Sequence, residues 1–288
     1  MAKNMKLAYI VSAYKSPKNL IRLIDRLNTR GSNFVIHVDK NSPRETFEEM
    51  QSSLKNFDNV HFMKRHKSPY RGFGHVKTTL KGLEYLRQNN INYDYLFVTT
   101  GQDYPIKSND YINSFLNINY GKSFIEYFLM PTNNWENGGM DRIKYYYIHS
   151  KRGSRKISRS KIPWVEKNIP NNIRPWGGSG YFTLHRKHAD YILKFIKDNP
   201  DYVRFFKHTD IPDEIFFQTI LLNSKHKNKL ICDDIRFIDW SNPDECPKVL
   251  KETDFEKLKN SKDLIGRKFD IKTDSKVLDR IDKEILYV

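Results

Sequence analysis

Cysteine is nearly absent from this chain: Cys232 and Cys246 are the only two among 288 residues. That is too few for a disulfide framework and gives no zinc-ligand spacing, so a reducing cytoplasm is the expected compartment. No apolar run approaches the ~20 residues that a membrane span needs. The run Leu7–Val11 is also too short, and too soon followed by polar residues, to read as a secretory signal. No Gly-x-Gly-x-x-Gly follows the first apolar run and no Gly-x-x-x-x-Gly-Lys-Ser/Thr loop occurs, which argues against dinucleotide binding and nucleoside triphosphate hydrolysis. The histidines lack the paired spacing of zinc hydrolases. An Asp-x-Asp pair is missing as well. Asp39 is followed by Lys40 and Asn41, and Asp233-Asp234 read as exposed turn residues. Hard divalent cations want several oxygens without a cation wedged between them, so no metal site is expected.

Acidic charge is the remaining shortage. Asp and Glu total 34 against 50 Lys and Arg, a formal net charge of +16, which implies anionic partners. From Arg142 to Lys161 the chain carries Lys144, Lys151, Arg152, Arg155, Lys156, Arg159 and Lys161 with no acidic residue between them. Such a run is most simply a solvated loop, and residues 132–175 as a whole read as a basic loop or lid. A nucleic-acid-binding protein is the other class that this charge admits. Against it, no nucleic-acid motif is present and the basic run does not lie along a helix.

What the chain has in quantity is packing material: 38% hydrophobic residues, with 17 Tyr and 18 Phe. Leu7–Ser12, Asn33–Val38, Val60–Met63 and Tyr95–Thr99 are short apolar runs suited to buried strands. Lys18–Asn28, Pro43–Leu54 and His75–Gln88 carry apolar residues at helical spacing. This alternation predicts right-handed βαβ units and an α/β fold with a mainly parallel central sheet flanked by helices, in one domain over residues 1–288. Ligands of such sheets bind beyond the carboxyl ends of the strands, where His37–Lys40 and Gly101–Pro105 fall. Further strands are expected at Phe124–Phe128, Tyr181–Leu184 and Ile235–Trp240, a helix at Lys187–Lys197, and a tail at the C-terminus.

Within His208–Thr219, Pro212 suits a first helical position, which would put Asp213 and Glu214 in the first turn, facing the positive end of the dipole. A carboxylate held on a packed element is a candidate general base. Taken alone, the two acids are equally well explained as complements of the dipole. Arg267-Lys268 supply a tight basic pair near the C-terminus.

Seven segments then occur in order: Ile36-His-Val-Asp-Lys40, Tyr70-Arg-Gly-Phe-Gly-His-Val76, Thr100-Gly-Gln-Asp-Tyr-Pro-Ile-Lys107, Gly177-Gly-Ser-Gly-Tyr-Phe182, Ile211-Pro-Asp-Glu-Ile-Phe-Phe-Gln-Thr219, Arg236-Phe-Ile-Asp-Trp240 and Arg267-Lys-Phe-Asp270. The ordered set resembles the core-2/I-branching enzyme family of glycosyltransferases, in the form of its bacterial members. The resemblance implies a GT-A type domain and inverting, metal-independent transfer from a UDP-sugar to a glycan hydroxyl. It carries the catalytic base onto Glu214 and the pyrophosphate-neutralising cation onto Lys268, with Arg267 beside it and Lys248 as a second basic match. It implies Asp39 near the uridine, Asp103 near the donor, and Trp240 stacking on an acceptor sugar. Glu126 is a candidate partner for an acceptor hydroxyl, although a solvent-facing strand residue is the simpler explanation.

N-acetylglucosamine is the sugar expected from its commonness, with UDP-xylose and UDP-glucuronate as the family's other donors. No cofactor is expected. A cytoplasmic enzyme of surface-polysaccharide synthesis fits, using a glycan or lipid-linked acceptor and touching the anionic inner face of the cell membrane.

Overall fold

The computed structural model describes residues 3–150, 152–157, 167–241 and 246–287. Its first half is a series of strand–helix units: β1 (Leu7–Ala13), α1 (Pro17–Leu27), β2 (Asn33–Val38), α2 (Arg44–Leu54), β3 (Val60–Phe62), α3 (Gly74–Gln88) and β4 (Tyr95–Thr100). Then come β5 (Asp103–Pro105), α4 (Asn109–Ile118), β6 (Ser123–Ile125), β7 (Phe128–Leu129), α5 (Met140–Lys144), β8 (Tyr147–Ser150) and β9 (Gly153–Lys156). After residue 167 the chain forms β10 (Trp176–Gly177), β11 (Phe182–His185), α6 (Arg186–Asp198), α7 (Pro200–Phe206), α8 (Phe216–Leu222), β12 (Leu230–Ile231) and β13 (Arg236–Ile238). It ends in α9 (Phe255–Asn260), β14 (Ile265–Arg267) and α10 (Lys276–Ile281).

The main sheet has seven strands in the order β12-β6-β11-β4-β1-β2-β3. β1 pairs in parallel with both β2 and β4, while β11 runs antiparallel between β4 and β6. Side chains of β1 alternate between two cores. Ala8 and Ile10 join one with residues of α3, α6 and α8, and Leu7, Tyr9 and Val11 join the other with α1, α2 and α4. Burial on both faces is why these strands read as unbroken apolar runs. Helix α1 buries Leu20, Leu23, Ile24 and Leu27, the expected helical spacing, and starts with Pro17 in the first turn. Because β1, β2 and β4 are in register, Tyr14, Asp39 and the segment after Thr100 emerge at one edge.

The structure departs from the sequence reading in four places. Gly101–Pro105 is not simply a loop: β5 forms a second sheet, β13-β14-β5. The C-terminal segment is not a tail but packs Leu250, Phe255, Leu258, Phe269, Val277, Leu278 and Ile281 with Tyr104 and Ile106 into a third core. The expected strand Phe124–Phe128 breaks after Ile125, since Phe128 and Leu129 leave the main sheet to pair with β10. Finally, residues 132–157 are not plain loop, for they contain α5 and the two-stranded ribbon β8–β9. Lys151, Arg159 and Lys161 of the basic run lie outside the described residues. Among the described residues no helix is long and apolar enough to cross a membrane.

The third core is tied to the first half by charge. Asp282, 6% exposed, accepts from Arg22 at 2.7 Å and from the Tyr104 hydroxyl at 2.6 Å, and Arg26 pairs with it at 2.9 Å. Burial works against its charge, but these donors hold its carboxyl below the usual range. Asp282→Ala removes the buried partner that Arg22, Arg26 and Tyr104 share and leaves the arginines, among the described acids, only the more exposed Asp279 and Asp25, so denaturant titration should show a loss of about 1–3 kcal/mol. A depressed carboxyl contributes stability above its unfolded pKa and loses it as pH falls through the folded one. The variant's deficit should therefore shrink in acid, and an equal deficit at all pH values would contradict the charge argument.

Candidate active site

The site is assembled where Gly177–Tyr181 crosses the turn before α8. Ile211 has φ 44°, a left-handed conformation that a β-branched residue adopts only when its surroundings impose it. Its N–H donates to the Arg71 carbonyl at 2.8 Å, and Arg71 in turn pairs with the nearly buried Asp210. Pro212–Glu214 then form a separate 3-10 turn, and α8 begins only at Phe216. This corrects the expectation that Pro212 opens the helix and that its dipole faces Glu214. Instead the Glu214 carbonyl accepts the Gly178 N–H at 2.9 Å. Only glycine permits that contact, since a Cβ at position 178 would lie 1.9 Å from the Glu126 carbonyl oxygen.

The Glu214 side chain is 31% exposed, and its Oε2 accepts from Arg142 Nη1 at 2.6 Å. Burial pushes its carboxyl up to about 7, helped by the neighbouring Asp213 charge and opposed by Arg142. Arg142 lies over the Trp135 ring at 3.8 Å, so its guanidinium is held from behind while it faces the carboxylate. The sequence offers no sign of this role, because Arg142 reads as the first residue of a solvated basic run and Trp135 as loop.

Two further arginines, Arg236 and Arg267, flank the Tyr181 ring. Arg267 donates to Asp103 at 2.7 Å and to Thr100 at 2.6 Å, with its guanidinium 4.3 Å from the Tyr181 ring. Asp103 is fully enclosed and also accepts from the Thr99 hydroxyl and the Thr100 N–H. Arg236 is buried and donates to the carbonyls of Val98 and Asp234. Burial raises the Tyr181 hydroxyl to about 12. It raises the Asp234 carboxyl as well, so Asp234 is no exposed turn residue as the sequence suggested. Glu126 follows β6 at the surface, and burial together with Asp234 and Asp233 raises its carboxyl.

The expected donor residues fall into two groups. Asp103 and Arg267 are spent on one another. Lys248 pairs with Asp254 at 2.6 Å and approaches Asp239 at 3.9 Å. Lys268 is half-buried next to Arg267 and has no ion pair among the described residues. Asp39 uses its carboxylate on the N–H groups of Asn41 (2.9 Å) and Ser68 (3.1 Å) at the strand ends. Trp240 is 60% exposed just beyond β13. Among the described residues no three His, Cys, Asp or Glu are grouped to hold a metal ion.

A family model described as Core-2/I-Branching enzyme matches residues 7–261. Beta-glucuronosyltransferase GlcAT14A of Arabidopsis thaliana is 29% identical, covering 98% of this chain and 64% of its own length. Xylosyltransferase 1 of Rattus norvegicus is 23% identical, covering 96% of this chain and 35% of its own. The chain thus spans less than two thirds of the length of these relatives. Among solved structures, S. aureus TarS in complex with UDP aligns with a TM-score of 0.41 at 14% identity, covering 78% of this chain and 57% of that one.

The position of Glu214 makes a direct prediction. A carboxyl raised from 4.5 to about 7 binds more protons folded than unfolded, so it should make stability fall as pH rises through that window. Arg142→Gln removes the opposing cation and should move the Glu214 titration upward in a carbon-13 carboxyl NMR experiment. An unchanged midpoint would show that the 2.6 Å contact does not persist in solution.

Proposed function

The chain belongs to the core-2/I-branching enzyme family, and from that premise we propose that it is an inverting transferase moving a sugar from a UDP-sugar to a hydroxyl of a glycan, without a metal ion. One observation carries this reading: a carboxylate poised near neutrality, Glu214, is fixed by main-chain contacts and paired with Arg142, while Lys268, next to the buried Arg267–Asp103 pair, has no ion pair among the described residues.

Inverting transfer requires a base that takes the acceptor proton while the oxygen forms its bond to the anomeric carbon and the bond to the diphosphate breaks. Glu214 suits this step because, with a pKa of about 7, it can accept a proton and release it again near neutral pH. Arg142 orients the carboxylate and favours its ionised form. On the other side, charge developing on the leaving diphosphate needs fixed positive groups. Arg267 is neutralised by Asp103, so Lys268 supplies the uncompensated charge, while Arg267 holds the strand that carries it. Asp39 and Tyr14, at the ends of β2 and β1, border the proposed nucleotide side, and Trp240 and Glu126 the acceptor side.

The names of the relatives favour UDP-glucuronate and UDP-xylose as donors to test beside UDP-N-acetylglucosamine. The acceptor proposed is a glycan or lipid-linked oligosaccharide of surface-polysaccharide synthesis, met in the cytoplasm at the inner face of the cell membrane. No nucleic-acid partner is proposed.

Glu214→Gln keeps the shape but not the proton acceptor, so transfer should fall by about 10²–10⁴-fold with UDP affinity little changed. In the parent protein kcat/KM should rise as pH increases through about 7, and this rise should disappear in the variant. Retention of most activity would move the base elsewhere, with Asp213 the next carboxylate to examine.

Lys268→Ala should weaken UDP by roughly tenfold or more, since a charge-assisted contact is worth about 1.5–3 kcal/mol, and uridine far less. Calorimetry should find UDP binding intact in excess EDTA. Binding that vanishes with EDTA and returns with Mn²⁺ would overturn the metal-independent mechanism.

A further inference from the structure

The ribbon β8–β9 stands apart from the main sheet and pairs only with itself. Its inner face is anchored: Tyr147 is buried, its N–H donates to the His208 carbonyl, and His149 Nε2 lies 3.0 Å from the Thr209 carbonyl. On the outer face the Tyr146 ring lies 6.0 Å from the His208 ring and 5.3 Å from the Lys167 ammonium, and Ile148 beside it is left open to solvent. Ile148 is directly opposite Arg155 across the ribbon, and the Ile157 N–H donates to the Tyr146 carbonyl at 2.8 Å, extending the ladder by one step. Alternation along each strand therefore puts Tyr146, Ile148, Arg155 and Ile157 on one side. Ile148 is 55% exposed and Tyr146 39%. Arg152 is exposed at the turn and Lys144 just before the ribbon. No acidic residue occurs between Arg142 and Ile157. The nearby Asp141 is already paired with Lys156 at 2.8 Å.

We infer that this outer face docks on an anionic lipid bilayer. Charge complementarity names the partner: cations surround the face, and the chain carries +16. The isoleucines separate a bilayer from other polyanions, because branched aliphatic side chains gain nothing from a hydrated polyanion but can enter the headgroup boundary. Tyr and Arg are suited to that boundary through their apolar bodies and polar tips. The ribbon is also continuous with the site. The Arg142 carbonyl accepts from the Asp210 N–H, and the Arg142 side chain holds Glu214. A bilayer in contact with Ile148 then lies on the acceptor side, where a lipid-borne hydroxyl can be presented. That orientation rests on the reading of Glu214 as the base; the docking itself does not.

The test is co-sedimentation of the full chain with vesicles of equal parts phosphatidylglycerol and phosphatidylcholine, against phosphatidylcholine alone. The parent should pellet only with the anionic vesicles, and less so as salt is raised. The double variant Arg152→Glu/Arg155→Glu should lose roughly tenfold or more in partitioning. Ile148→Ser should lose severalfold and leave the remainder more sensitive to salt. Both variants should keep the parent's circular dichroism and its UDP affinity. If vesicles bind as stated while no UDP-sugar is turned over with any soluble acceptor, the transferase reading fails and the docking surface stands. The docking surface is overturned if the charge-reversed variant partitions like the parent. It is likewise overturned if Ile148→Ser changes nothing and duplex DNA competes the vesicles away. A third overturning result is that Ile148→Ser converts a dimer to a monomer in sedimentation velocity without affecting vesicle binding, which would assign the face to a second copy of the chain.

Discussion

The ion pair of Asp103 with Arg267 is the contact on which the rest of the site depends. It joins the chain just after β4, the centre of the parallel sheet, to β14 in the small second sheet. Two charges buried so deeply are tolerated because most of their other lone pairs and donors find partners, here Thr99, Thr100 and the face of Tyr181, with the buried Arg267 Nε left without a hydrogen bond among the described residues. A pair held in this way has one geometry, and that geometry positions the residues next along the chain. Lys268 comes first, then Phe269, whose N–H reaches back to the Gln102 carbonyl. Asn19 of α1 holds the same segment from below, donating to the Phe269 carbonyl and accepting from the Ile271 N–H. The C-terminal cation is thus positioned by the first half of the chain.

At Glu214 the governing constraint is desolvation of a carboxylate. Glu214 does not sit on a helix end, so no helix dipole lowers its pKa. Burial in the 3-10 turn and the approach of Asp213 push it up to about 7, and Arg142 stops it rising further. Two arginines in one site therefore have opposite assignments. Arg267 is consumed by a buried acid and acts as structure, while Arg142 meets an acid that stays partly open to solvent and tunes it.

The order β1 to β4 is legible in the sequence because both periodicities are clean there. Strands buried on two faces leave continuous apolar runs, and α1 repeats its leucines every three or four residues. The C-terminal third is illegible for the converse reason. α9 and α10 have six residues each, too few to display a helical period, and they are stable only through their packing on Tyr104 and Ile106. The motif positions of Glu214 and Lys268 stand out as unusual local sequences. Their surroundings do not, because Arg142 and Trp135 come from a stretch whose composition is that of a loop. Ion-pair partners distant in sequence leave no local pattern, so the enclosure of Asp103 by Arg267 can be read only from the folded chain.

Gly178 decides how closely two parts of the site can approach. Its N–H is on the Glu214 carbonyl, and the Glu126 carbonyl sits where its side chain would be. The link from the end of β6 to Glu214 therefore runs through peptide groups, which are the same whatever side chains they bear. The side chain at position 126 can change without disturbing this contact, provided residue 178 remains glycine, whereas Asp213 is coupled to Glu214 through its charge. One hydrogen atom in place of a Cβ is what lets the peptide group after β6 and the turn that carries Glu214 close on each other.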